Sequence, residues 1–159
     1  MNGKTVKESN VEMTELVLPS HTNPIGTIFG GQILAWVDIA GSISATRHAR
    51  AVCVTASVDA FQFVAPVPVG HWVCLKASVN YAHRTSMEVG VRVDSENPIT
   101  GEITHVASSY LTFVALDHNK KPKVVPALIT ETPEEKRRAQ DAQIRRQSRL
   151  KLKTELAKK

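Results

Sequence analysis

The period of apolar and polar residues changes several times along the chain, and each change marks an element. Residues 11–21, VEMTELVLPSH, alternate well enough to predict a strand near the end of the segment. TNPIG (22–26) is a loop, with Asn23-Pro24 and Gly26 as breakers. From Gly30 to about His48 the spacing predicts a helix with few polar positions. Ile33, Leu34, Trp36, Val37, Ile39, Ala40, Ile43 and Ala45 nearly surround it, which predicts burial on most sides. Period two then takes over. VCVTASVDAFQFV (52–64) sets Val52, Val54, Ala56 and Val58 on one face. Cys53, Thr55, Ser57, Asp59, Phe61 and Phe63 take the other face. VPVG (67–70) turns the chain into HWVCLKASVNYA (71–82), followed by SMEVGVRVDSE (86–96). ENPITGE (96–102) is a hairpin-type connection to a last long strand, THVASSYLTFVALD (104–117). DHNKKPKVVP (117–126) reads as a loop.

One helix followed by four long strands with short connections predicts an antiparallel sheet wrapped around that helix. Parallel pairing would need crossover helices, and the chain offers none. The expected class is α+β. Residues 133–157 predict a separate, highly charged helix: Thr132 caps it, Pro133 takes the first turn and Glu135 completes a capping box. The expected organisation is a body over residues 1–130 and a charged, helical tail over 131–159.

Charge sharpens this division. The net charge is +5, but residues 1–130 hold ten basic and ten acidic side chains, so the whole excess belongs to the tail. A neutral body argues against a nucleic-acid groove across it. No apolar run approaches the ~18 residues of a membrane span, so no membrane insertion is expected. The first twenty residues lack a signal-peptide core, and two cysteines are too few for a disulfide framework. These features predict a cytoplasmic protein.

Several chemistries are excluded. Gly26 to Gly31 has the spacing of a phosphate-binding loop, but Gln32 stands where its lysine belongs. There is no GxSxG motif for a serine triad. The six histidines show no i, i+4 pair and no CxxC partner, so no metal site is expected. Asp38, an acidic residue amid the apolar helix, survives this filter. Leu34, Asp38, Gly41 and Ala45 fall on one helical stripe, whose small residues would admit a backbone or ligand. Composition by itself favours a structural carboxylate capping a neighbouring strand or loop. The turn before it favours catalysis: Gly30-Gly31 opens the helix with unpaired N–H groups and a positive dipole end, an arrangement suited to an oxyanion.

The ordered segments HTNPIGTIFGGQILAWVDIAG, TRHA, VTASVDAFQFVAPVPVG, RTSMEVGVRV and YLTFVALD resemble the hotdog-fold acyl-CoA thioesterases. The likeness is closest to bacterial acyl-CoA hydrolases related to the brain-type enzyme, and it runs from about Glu12 to Pro126. It implies a central helix gripped by an antiparallel sheet, and paired protomers sharing one sheet, often as a trimer of dimers. It implies that Asp38 is the catalytic carboxylate and that Asn23 reaches the same site from the opposite protomer. Arg84, Thr85 and Ser86 match the segment that meets the nucleotide or pantetheine end of coenzyme A. His83 stands where relatives often carry glycine, a departure that bears on how the nucleotide is held.

The resulting expectation is hydrolysis of acyl-CoA, with no cofactor beyond the coenzyme A of the substrate. The Gly31 N–H polarises the carbonyl, Asp38 acts as general base on water, and Asn23 orients water or thioester. Direct attack by Asp38 through a mixed anhydride is a variant. A non-catalytic acyl-CoA sensor and a hotdog hydratase or dehydratase are the competing readings. The sensor lacks an accompanying DNA-binding motif, and the hydratase lacks a well-placed histidine, His21 being the nearest in sequence. Arg84 reads either as a phosphate contact or as a surface arginine, and Thr85 and Ser86 also suit a plain turn. Asp59 reads as structural, and Phe61 and Phe63 as core or interface. For the tail, a solvated helix comes first and packing on a neighbouring protomer through Ile144, Leu150, Leu152 and Leu156 second. Binding to anionic lipid or nucleic acid comes last.

Overall fold

The chain runs through β1 (Lys4–Thr5), β2 (Val11–Leu16), α1 (Gly30–Ala49), β3 (Val52–Val58), β4 (Trp72–His83), β5 (Ser86–Glu96), β6 (Ile103–Leu116), β7 (Leu128–Ile129) and α2 (Pro133–Ala157). This is a computed structural model that describes residues 2–158. Five strands form one antiparallel sheet in the order β2-β4-β5-β6-β3, and β1 pairs with β7 in a small parallel ribbon. The α+β expectation therefore holds, with α1 lying across one face of the sheet.

Burial explains the grip. Ile33, Val37, Ala40 and Ala45 of α1 are fully buried with Val73, Leu75 and Val79 of β4, Val89 and Val93 of β5, and Leu111 and Phe113 of β6. Each of the Val, Leu, Ile and Phe side chains contributes about 1.5–3 kcal/mol on leaving water. Close approach needs Gly41: a Cβ there would sit 2.9 Å from Phe113 Cε2. Of the backbone or ligand that the small residues of this stripe were expected to admit, Gly41 admits the sheet. Arg50, in the left-handed region at φ 47°, ends α1 and returns its N–H to Thr46 O at 2.8 Å.

Two expectations need correction. The helix is not covered on most sides: Leu34, Asp38, Ile39 and Ile43 remain exposed, because the sheet meets only one side of α1. The strand predicted over 52–64 stops at Val58. Its pairing with β6 shifts between Thr55 and Ser57, leaving Ala56 as a bulge, and beyond Asp59 the chain leaves the ladder. Phe61 and Phe63 consequently lie outside any strand.

The charged helix forms with its predicted cap. Thr132 Oγ1 accepts from Glu135 N, and Glu135 Oε2 accepts from Thr132 N, each at 3.2 Å. It covers the face of the sheet opposite α1. Arg145 Nη2 donates to the buried Glu88 carboxylate at 2.7 Å, and its guanidinium lies 3.6 Å over the Tyr110 ring. Ile144, Leu150, Leu152 and Leu156 stay exposed, so the contact runs through arginines rather than leucines. Among the described residues no helix is long and apolar enough to cross a membrane.

Candidate active site

Asp38 stands midway along α1 on its open flank, and one bond orients it. Thr55 Oγ1 of β3 donates to Asp38 Oδ1 at 2.6 Å. Among the described residues this is the only hydrogen bond of the Asp38 side chain, so Oδ2 is unengaged. Motif reading passed over Thr55, the residue that orients Asp38. Its signal was present, since alternation put it on the polar face with Cys53 and Ser57.

Asn23 organises the loop ahead of the helix. Its Oδ1 accepts from Ile25 N at 3.1 Å and Thr27 N at 3.2 Å, and its Nδ2 donates to Thr27 Oγ1 at 2.9 Å. Gly26, at φ 80°, makes the turn that this Asx arrangement requires. The loop is pinned to the body by Phe29 N on His21 O and Ile28 N on Val67 O, both at 2.8 Å. In the single chain the Asn23 amide therefore serves its own loop rather than Asp38.

Gly31 lies exposed in the first turn of α1, where Gln32 N returns to Phe29 O at 2.9 Å. Among the described residues the Gly30 and Gly31 N–H groups have no acceptor, as first-turn donors generally do not. A Cβ on Gly31 would meet Phe29 Cε1 at 2.6 Å, so glycine keeps this N–H approachable under the exposed Phe29 ring. Beside it, Ile28, Gly30, Ile33, Phe63, Val64 and Val67 line an apolar cavity of 350 Å³. A larger, polar cavity of 430 Å³, lined by Lys76, Ser78, Arg92, Tyr110 and Arg137, lies under α2 on the other face of the sheet.

Arg84 and Thr85 form the tip of the β4–β5 hairpin, closed by the His83–Ser86 pair. Their carbonyls are held by Val125 N at 2.9 Å and Ala115 N at 3.0 Å, while the Arg84 side chain is exposed. The register sets this hairpin level with Thr55: Thr55 opposes Phe113, which opposes Met87. Two strand spacings, about 10 Å, separate the hairpin end from Thr55. Asp59, the other acidic residue weighed from sequence, pairs with Arg149 at 2.7 Å. Burial raises its carboxyl pKa, Arg149 opposes that rise and Glu88 adds to it.

Known proteins share this fold and part of this sequence. Residues 25–102 match the Thioesterase superfamily. The uncharacterized acyl-CoA thioester hydrolase YkhA of Bacillus subtilis is 46% identical over 129 residues, spanning 81% of this chain and 75% of its own. An apo-hexameric acyl-CoA thioesterase superposes with a TM-score of 0.92 at 44% identity, covering 95% of this chain and 97% of that one. An acyl-CoA hydrolase from Staphylococcus aureus, in complex with butyryl coenzyme A, coenzyme A and coenzyme A disulfide, gives 0.90 at 37% identity over 98% and 94%. Alanine variants of that enzyme replace one asparagine, one aspartate and one threonine, spaced 15 and 17 residues apart, as Asn23, Asp38 and Thr55 are here. With this hotdog architecture and relatives matched along most of their length, the chain belongs to the thioesterase superfamily and is an acyl-CoA thioester hydrolase.

Proposed function

We propose that the protein hydrolyses acyl-CoA to free acid and coenzyme A at a site shared by two copies of the chain, with Asp38 as general base. The carrying observation is the Thr55–Asp38 bond at 2.6 Å on the open flank of α1. Holding one carboxylate oxygen leaves the other to take a proton from water as the water oxygen adds to the thioester carbonyl. The tetrahedral oxyanion is stabilised by the Gly31 N–H at the positive end of α1. Collapse breaks the C–S bond, and the departing thiolate recovers the proton from Asp38. Asn23 orients the water or the thioester.

One helix cannot supply both groups. Gly31 and Asp38 are seven residues apart, about 10 Å of helical rise, whereas both must lie within about 3 Å of one reacting carbonyl and its water. Gly31 of one copy therefore works with Asp38 of the other. The exposed Leu34, Ile39 and Ile43 flank of α1, and the exposed Val52, Val54 and Val58 on edge strand β3, support pairing there. The hexameric relative supports three such pairs. The butyryl coenzyme A complex of the Staphylococcus aureus enzyme supports an acyl-CoA substrate, with Arg84, Thr85 and Ser86 toward its nucleotide or pantetheine end.

Release of free coenzyme A from short, medium and long acyl-CoAs tests this. Asp38→Asn should keep the fold and lose about 10²–10⁴-fold in turnover. A folded Asp38→Asn protein with wild-type turnover would end the assignment.

A further inference from the structure

The charged helix α2 reaches past the sheet to the segment that walls the apolar cavity. Arg149 Nη1 donates to Asp59 Oδ2 at 2.7 Å and stands 3.7 Å from Glu88 Oε2, with the Arg149 and Asp59 side chains only 28% and 18% exposed. Asp59 is the point where the chain leaves β3. Its N–H still bonds Tyr110 O at 2.9 Å, and the chain regains β6 only at Val64 N on Val106 O, also 2.9 Å.

Between these two ties the backbone has no ladder of its own, and Pro66 and Pro68 bring no N–H to the stretch that follows. Phe61 and Phe63 pack on one another at 4.7 Å between ring centroids. The Phe63 ring then presses on α1 so closely that a Cβ on Gly30 would lie 3.2 Å from it. Phe63, Val64 and Val67 thus form one wall of the 350 Å³ cavity, and Ile28, Gly30 and Ile33 the other. Arg145 already pins α2 to Glu88, so the contribution particular to Arg149 is its hold on the first residue of this wall segment.

We propose that Arg149 is a positioning residue: through Asp59 it straps segment 59–67 against the N-terminus of α1 and so sets the room for the acyl chain beside Gly31. This rests on the reading of Gly31 as the oxyanion donor. A neutral, flexible side chain at 149 would free the segment and blur the cavity wall, while leaving Asp38, Thr55 and Asn23 where they are. The effect belongs to substrates long enough to fill the cavity and to the opening of segment 59–67.

Arg149→Met and the conservative Arg149→Lys, in the full-length oligomer, are compared by two readouts. The first is kcat and KM for acetyl-CoA and octanoyl-CoA; the second is amide hydrogen exchange over 59–67. Arg149→Met should raise KM for octanoyl-CoA about tenfold and leave acetyl-CoA kinetics within about twofold. Exchange at Asp59 and Val64 should quicken about tenfold or more, with the rest of the sheet unchanged. Arg149→Lys should restore most of both. Unchanged exchange in Arg149→Met, or an equal loss on both substrates, overturns the proposal. A wild type that releases coenzyme A from neither substrate overturns the hydrolase reading and with it the acyl-chain role, and exchange then still separates a strap from none.

Discussion

Asp38 is solvent-exposed in the single chain, and in the proposed shared site a second copy covers this flank of α1 and makes it a charge in a dry setting. Thr55 prepares it for that setting by holding one oxygen at 2.6 Å. His48, toward the other end of α1, is buried with a single such bond. Its Nε2–H donates to Pro126 O at 2.8 Å, while Nδ1 has no partner among the described residues. Burial pushes its pKa below the ordinary histidine value; the Pro126 bond opposes this, Lys4 adds to it and Glu8 opposes it. The unfolded chain, titrating near about 6.5, therefore takes up the proton first as pH falls. The His48 contribution to stability is whole above about pH 6.5 and is lost as pH drops toward the folded value. Urea unfolding between pH 7 and pH 5 should show a slope of up to about 1.4 kcal/mol per pH unit from this proton, flattened in His48→Gln. An unchanged slope would remove His48 from the account. Both residues illustrate what a sequence conveys: Asp38 announced itself as a charge in an apolar helix, whereas Thr55 and His48 acquire meaning only from partners that the fold brings to them.

Elements were legible where their physics is local. Gly30–Ala49 and Pro133–Ala157 match the predicted helices because apolar spacing, the Gly30-Gly31 turn and the Thr132–Glu135 cap all act within a turn or two. The strand over 52–64 reads too long in sequence because the alternation continues past Asp59 while the pairing with β6 does not. Packing of α1 offers a contest between local and tertiary terms at Gly41. Alanine there would gain up to about 1 kcal/mol of helix propensity. Its Cβ would also sit 2.9 Å from the fully buried Phe113 ring, and overpacking costs about 1–3 kcal/mol. Gly41→Ala should therefore destabilise the protein, by on the order of 1 kcal/mol, in urea unfolding. A stabilised variant would mean that the ring yields easily and that the helix is not held this tightly.

At the scale of the whole molecule the question is whether the two halves of the site come from one chain or two. Gly31→Pro deletes the N–H in the first turn, where proline is tolerated, and Asp38→Asn deletes the base. Each variant by itself should be nearly inactive. Refolded together in equal amounts, they should recover about a quarter of wild-type activity, since half the pairs are mixed and each mixed pair rebuilds one of its two sites. No recovery, with mixed pairs shown to form, would place Gly31 and Asp38 on one chain's task and defeat the shared site.

The sequence by itself determined the central helix, the antiparallel α+β layout, the capped charged helix and the presence of a lone carboxylate midway along the central helix. These rest on periodicity and capping, which relate residues a few positions apart. Tertiary structure alone decided where β3 breaks from its partner, which flank of α1 stays open, and that Thr55 meets Asp38 across 17 residues. It alone brought Arg149 to Asp59 across 90. Such contacts depend on register, a bulge and the way a sheet covers only one side of a helix, and none of these leaves a periodic mark on the chain.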